Sequence, residues 1–317
     1  VGATPANLGA LGELERMAGV CGVKAFLGSS TGTLLLSQEK DILAALKSGS
    51  RRMAVHSEDE DRLEARKGER VTGDVRSHPV WRDVETARAS TERVLRLAKE
   101  ARRRLHVLHV TTGDEIPLLA AAKDYATAET TPQHLTLAAP ECYERIGTYA
   151  QMNPPIRDAS HREALWAAVN NGVIDVIGSD HAPHTREEKD KTYPDTPSGM
   201  PGVQTLVTIL LDHVNAGRMS LERFVDLTAS GPQRIFGIAG KGRIARGYDA
   251  DFTVIDLKLK KKIENRWIAS TCGWTPFDGM TTQGWAVATI IRGRSVMRDG
   301  ALIAAGQGAP LRFVETL

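Results

Sequence analysis

Cysteine, charge imbalance and long apolar runs are all scarce in this sequence. Cys21, Cys142 and Cys272 are the only cysteines in 317 residues, and no two stand at Cys-x-x-Cys spacing. That excludes a disulfide framework or a thiolate zinc site and points to a cytoplasmic protein. The 41 basic and 39 acidic residues leave a net charge of +2, which argues against nucleic acid or a membrane surface as partner. No apolar run reaches the ~18 residues of a membrane span, and no signal-peptide pattern is visible. An initiating methionine is also absent. The opening Val1-Gly2-Ala3-Thr4-Pro5-Ala6-Asn7 reads as a strand end and a loop, so the chain is expected to be a fragment.

What is present is an ordinary globular composition, 41% hydrophobic and 25% charged, long enough for one large core plus a smaller unit. Short apolar runs alternate with amphipathic stretches. Strands are expected at 20–27, 52–56, 105–110, 126–131 and 173–179, and helices at 39–48, 84–104, 116–125 and 161–171. Such alternation predicts α/β architecture, a parallel sheet with helices outside. The strands read as apolar throughout, as when both faces are buried. Residues 66–81 mix glycine, proline and charge and read as an exposed excursion. Near Gly242 the pattern changes to short strands and turns, so residues 1–241 are expected to form a barrel and 242–317 a small β unit. Lys258, Lys260, Lys261 and Lys262 read as a solvated edge strand.

Polar residues close several of the apolar runs. Lys24 ends Gly-Val-Lys-Ala-Phe-Leu-Gly-Ser-Ser-Thr-Gly, His56 ends Ala-Val-His-Ser-Glu-Asp, and Asp180 ends Val-Ile-Gly-Ser-Asp-His-Ala-Pro-His. His106 and His109 share one strand end, in Leu-His-Val-Leu-His-Val. Strand alternation turns these two histidines to opposite faces, and His109, at the end, is the candidate. In a parallel barrel, functional groups collect at such ends. Two imidazoles and a carboxylate suit a divalent ion, and a carboxylate beside it can act as general base. A lysine among metal ligands is unusual. Desolvation favours a neutral amine, and a neutral amine can add carbon dioxide to give a bidentate carbamate. The plain alternatives are a buried lysine paired with an acid, core histidines bonded to backbone, and a helix cap at Asp180.

In their order these motifs resemble the dihydroorotases of the amidohydrolase superfamily, from Lys24 to the C-terminus. Ser-Asp-His-Ala-Pro-His at 179–184 is the strongest; Met-Asn-Pro-Pro-Ile-Arg at 152–157, Glu-Thr-Thr-Pro-Gln-His-Leu at 129–135 and Gly-Tyr-Asp-Ala-Asp-Phe at 247–252 support it. The resemblance implies an incomplete (β/α)8 barrel with a small C-terminal β domain, and two zinc ions bridged by carboxylated Lys24. His56 and His109 would hold the second ion, and Asp180 would bind the first and shuttle the proton. Asn153 and His184 would hold substrate, with backbone around Pro201 and Gly202 against its ring. His134 and His181 would be structural or supporting, and His78, His161 and His213 surface or helix residues. The implied reaction is reversible conversion of L-dihydroorotate and N-carbamoyl-L-aspartate. Allantoinase and dihydropyrimidinase or hydantoinase are rival readings. The family's His-x-His does not occur in this chain, so by itself the chain is expected to be a weak catalyst, or none, and unstable. The expected partners are a small-molecule substrate and further copies of the chain. A non-catalytic scaffold for aspartate transcarbamoylase is the alternative of another class.

Overall fold

The computed structural model describes residues 1–30, 34–304, 306 and 308–314. Thr31 and Gly32, at the end of the Lys24 motif, lie outside the described residues. Five parallel strands run in sequence order: β1 (Val23–Phe26), β2 (Met53–His56), β3 (Leu105–Val107), β4 (Ala126–Thr130) and β5 (Val176–Ile177). Ahead of β1, the backbone of Val1 and Ala3 bonds to Lys24 in a parallel bridge. Helices α1 (Glu39–Lys47), α2 (Val84–Ala101), α3 (Ile116–Ala121) and α4 (Ala159–Asn170) fall between the strands, as the alternation predicts. Asp83 caps α2 by accepting from the Thr86 amide, and Arg102 ends it in the left-handed region at φ 52°. Asp158 caps α4 through the Ser160 amide. Each cap satisfies an amide that the first turn of a helix leaves without a partner.

The strand register sorts the side chains into two faces. Ala25, Val55, Val107 and Ala128 occupy neighbouring positions along the sheet and join the main core with Ile42, Leu46, Val94 and Leu97 from the helices. The alternate row is Lys24, Ala54, His106 and Thr127. Phe26 and His56 stand one step further on, in register with each other. The strands therefore alternate, and the reading of them as apolar on both faces is corrected. Their helix side is apolar because it meets α1, α2 and α4. Their inner side is polar because it lines the site.

The second sheet is antiparallel, in the order β6 (Phe252–Lys262), β7 (Thr281–Ile291), β8 (Arg294–Arg298) and β9 (Ala301–Leu302). β6 is an edge strand, so Lys258 to Lys262 lie where exposed edges use lysine against further pairing. β7 packs on α5 (Leu206–Asn215), where Thr208 bonds to Thr282 and the Gly284 carbonyl. A second apolar cluster, including Tyr143, Met152, Ile156, Tyr193, Trp274, Phe277 and Trp285, gathers residues from β7, helices and loops. The 66–81 stretch is not a simple exposed excursion. Its three short helical turns bring Val75, Ser77 and His78 into the interior, and His78 is 1% exposed. Among the described residues no helix is long and apolar enough to cross a membrane.

Candidate active site

Lys24, Phe26, Ser30, His56, His109, Asn153, Asp180, His181, Ser198 and Gly199 line one cavity of about 250 Å3. Five of the residues singled out by sequence thus come together: Lys24, His56, His109, Asp180 and Asn153. They arrive from the ends of β1, β2, β3 and β5 and from the loop after β4, at the rim where parallel barrels carry their chemistry.

His56 is fixed from behind. Its Nε2 lies 2.9 Å from Glu58 Oε2, and Glu58 is gripped by Arg82 at 2.7 Å. All three side chains are essentially buried. Burial pushes the Glu58 carboxyl upward, but the Arg82 guanidinium and the His56 ring outweigh it and hold it well below the usual range. Because a carboxylate only accepts, His56 Nε2 carries a proton, and in the neutral ring Nδ1 keeps its lone pair. That Nδ1 faces His109 Nε2 at 3.1 Å. Burial holds His109 well below the ordinary histidine value, which favours its neutral ring. His109 Nδ1 has no hydrogen-bond partner.

His109 corrects the alternation argument. β3 ends at Val107, and His109 sits at φ 37°. The left-handed residue breaks the period of two. His106 also faces the barrel interior, one row below, bonding Thr127 Oγ1 at 2.8 Å and Glu129 Oε2 at 3.2 Å. Asp180 is likewise left-handed, at φ 42°. Two non-glycine residues in this costly region, both facing one cavity, follow the usual concentration of strain at functional sites. Burial raises the Asp180 carboxyl, against the opposite pull of Lys24, His56 and His134. Lys24 Nζ lies 4.4 Å from the centre of the Phe26 ring, a cation–π contact of about 0.5–2 kcal/mol.

The remaining candidates fall nearby. Pro201 and Gly202 line an adjacent cavity of about 280 Å3, which shares His181 with the first. The Gly202 amide donates to His181 Nδ1 at 3.1 Å, and its carbonyl accepts from the Leu206 amide. His184 stands behind the cavity wall, with Nε2 at 3.1 Å from the Ser198 carbonyl. His134 is buried between Thr131 Oγ1 and the Pro154 carbonyl, a structural placement. His213 is partly buried on α5, bonded to Thr136, and His161 accepts from the Gly113 amide. The sequence reading passes over Glu58, which stands only two residues beyond His56, and over Ser30, Ser198 and Gly199. His78, read as a surface or helix residue, does open a short helix but is buried.

The His56 and His109 nitrogens fit a shared cation. Two nitrogens ~2.1 Å from one ion at a tetrahedral angle stand about 3.4 Å apart, close to the 3.1 Å observed. Among the described residues, no group of three or more His, Cys, Asp or Glu side chains forms a complete cage. The imidazole pair therefore faces Lys24 and Asp180 across an open cavity.

Residues 53–296 match the model of the Amidohydrolase family. A dihydroorotase from Halobacterium salinarum is 37% identical over 291 residues, covering 91% of this chain and 67% of that protein. An L-hydantoinase from Paenarthrobacter aurescens is 32% identical over 323 residues, covering 95% of this chain and 69% of that protein. Among solved structures, L-hydantoinase (dihydropyrimidinase) from Arthrobacter aurescens superposes with a TM-score of 0.89 at 30% identity, over 95% of this chain and 70% of that one. The chain spans about two thirds of the length of the curated relatives it matches.

Proposed function

We propose, on the premise that this chain belongs to the amidohydrolase family, that it forms the larger part of a metal-dependent hydrolase of small cyclic amides, with L-dihydroorotate as substrate. The observation that carries the reading is the convergence of Lys24, His56, His109, Asp180 and Asn153 on one cavity. His56 and His109 would hold one ion. Lys24, once its ammonium gives up a proton and the amine adds carbon dioxide with loss of a second proton, would present a carboxylate able to bridge to a second ion. Asp180 would complete that second site. Zinc suits this mixed nitrogen and oxygen donor set. A bound ion of this kind lowers the pKa of water and polarises a carbonyl.

The protein's own groups would then act as follows. Asp180, raised by burial, takes the proton of the attacking water and passes it to the departing ring nitrogen. Glu58 keeps the His56 proton on Nε2, away from the cavity. Asn153 donates to an oxygen of the substrate. Phe26 covers one wall, with its ring against Lys24 Nζ.

The test is turnover by the complete polypeptide, loaded with zinc, assayed in both directions. Interconversion of N-carbamoyl-L-aspartate and L-dihydroorotate is expected. Turnover of hydantoins or allantoin with none of dihydroorotate would overturn the substrate assignment. The second reading, a hydantoinase, is favoured by the 0.89 superposition on the Arthrobacter aurescens structure, and the same assay separates the two.

A further inference from the structure

We propose that His78, buried outside the cavity, is a positioning residue that fixes which end of the Asn153 amide faces the substrate. The inference rests on the reading of this cavity as the substrate site.

His78 opens the short helix His78–Trp81 and packs edge-on to Trp81 and Tyr193, with ring centres at 5.9 and 5.8 Å. Its Nε2 lies 3.0 Å from two oxygens at once, the Met152 carbonyl and Asn153 Oδ1. A backbone carbonyl can only accept. Nε2 must therefore carry the proton, and it donates to both oxygens. With that proton placed, the Asn153 atom beside it has to be the acceptor. The amide cannot turn over without setting its own N–H against the imidazole N–H. Asn153 Nδ2 is left on the cavity side, 3.5 Å from Ser30 Oγ, which lines the same cavity. The other imidazole nitrogen, Nδ1, is buried without a partner, as a neutral ring protonated only at Nε2 allows.

The consequence is a rule of specificity. At this point of the cavity Asn153 itself presents N–H bonds and no acceptor, with the Ser30 hydroxyl beside it. The substrate atom that docks there is a carbonyl or carboxylate oxygen. A ring N–H of a cyclic amide is disfavoured against Asn153 Nδ2, because it would set two donors face to face.

The first test uses the wild-type chain, labelled with 15N in histidine and asparagine. The imidazole correlations of His78 are expected to show the neutral Nε2–H tautomer. The Asn153 side-chain NH2 protons should give only weak cross-relaxation to the His78 ring, and their resonance should shift when L-dihydroorotate is added. A proton on His78 Nδ1, or Asn153 NH2 protons close to the His78 ring, would overturn the proposal whether or not the protein is a dihydroorotase. The second test is kinetic, on the complete enzyme. H78L removes the donor, and H78Q places an amide N–H near the same point. H78L is expected to raise KM about tenfold with a smaller change in kcat, H78Q to recover most of the loss, and N153L to be made little worse by adding H78L. Equal defects in H78L and H78Q with unchanged metal content, or additive effects of H78L and N153L, would refute the assignment. Absence of dihydroorotate turnover in the wild type would instead count against the proposed function and leave the spectroscopic result to decide the role of His78.

Discussion

His56 and Asn153 each owe their orientation to a buried neighbour, Glu58 for the first and His78 for the second. Glu58→Gln is expected to weaken metal binding roughly 10–100-fold, the usual cost of removing a carboxylate that orients a ligating histidine. It also strips Arg82 of its buried anion, so unfolding should become easier by about 3–5 kcal/mol. Metal titration at a temperature where the variant is folded separates the two effects; unchanged affinity would show that Glu58 serves stability alone. Asp180→Asn keeps the shape and removes the proton acceptor. On the proposed mechanism, kcat should fall at least roughly 10²–10⁴-fold, as read by steady-state kinetics of the complete enzyme at saturating zinc, with metal content measured alongside because Asp180 would also hold the second ion. Lys24, His56, His109 and Asp180 are legible in the sequence because each follows an apolar run and is a residue type with chemistry at its tip. His78 is not. It sits in a charged, glycine-containing stretch, and residues far along the chain, Met152, Asn153 and Tyr193, help bury it and give it work.

At the scale of elements, loops rather than strands decide the aim of the site. His109 and Asp180 stand just past β3 and β5 in left-handed conformations, so a rule based on strand period misassigns the face of one of them. The strand reading itself fails only where it overlooks the polar inner row, since Lys24, His56, His106 and Thr127 alternate with apolar neighbours that meet the helices. The close approach of the second sheet to α5 uses one glycine. Gly284 has φ 105°, and a Cβ there would lie 2.5 Å from Leu211 Cβ on α5. Gly284→Ala is expected to cost roughly 1–3 kcal/mol through backbone strain and overpacking, read as a lower urea midpoint. An unchanged midpoint would show that β7 can move off α5 without loss.

Across the whole molecule, a buried lysine joins segments distant in sequence. Lys189 is fully buried, and its Nζ donates to the carbonyls of Gln151 and Pro197 at 3.2 and 2.8 Å. It thereby ties the segment before Asn153 to the segment before Ser198 and Gly199. Burial pushes its amine down to about 7. The folded value is below the unfolded one, so between about pH 7 and 10.5 the unfolded chain binds more protons than the folded chain. Stability from this group therefore rises with pH across that window and is lowest below it. Lys189→Met should flatten the rise, by an amount on the order of a few kcal/mol. The difference between the wild-type and variant stability curves, from denaturant titrations at pH 6.5 to 10, checks the sign. A difference that is flat in pH would show that Lys189 is not desolvated.

The sequence by itself determined the α/β class, the order of strands and helices, the lysine-rich edge strand and the identity of the chemistry-bearing residues at the strand ends. Periodicity and residue type are local properties, and they survive without coordinates. Tertiary structure alone decided which of those residues share a cavity, the inward face of His109, the displacement of Pro201 and Gly202 into the neighbouring cavity, and the engagement of Glu58 and His78. Those outcomes depend on backbone turns past the strand ends and on burial by residues 20 to more than 100 positions away, and no short-range pattern encodes them.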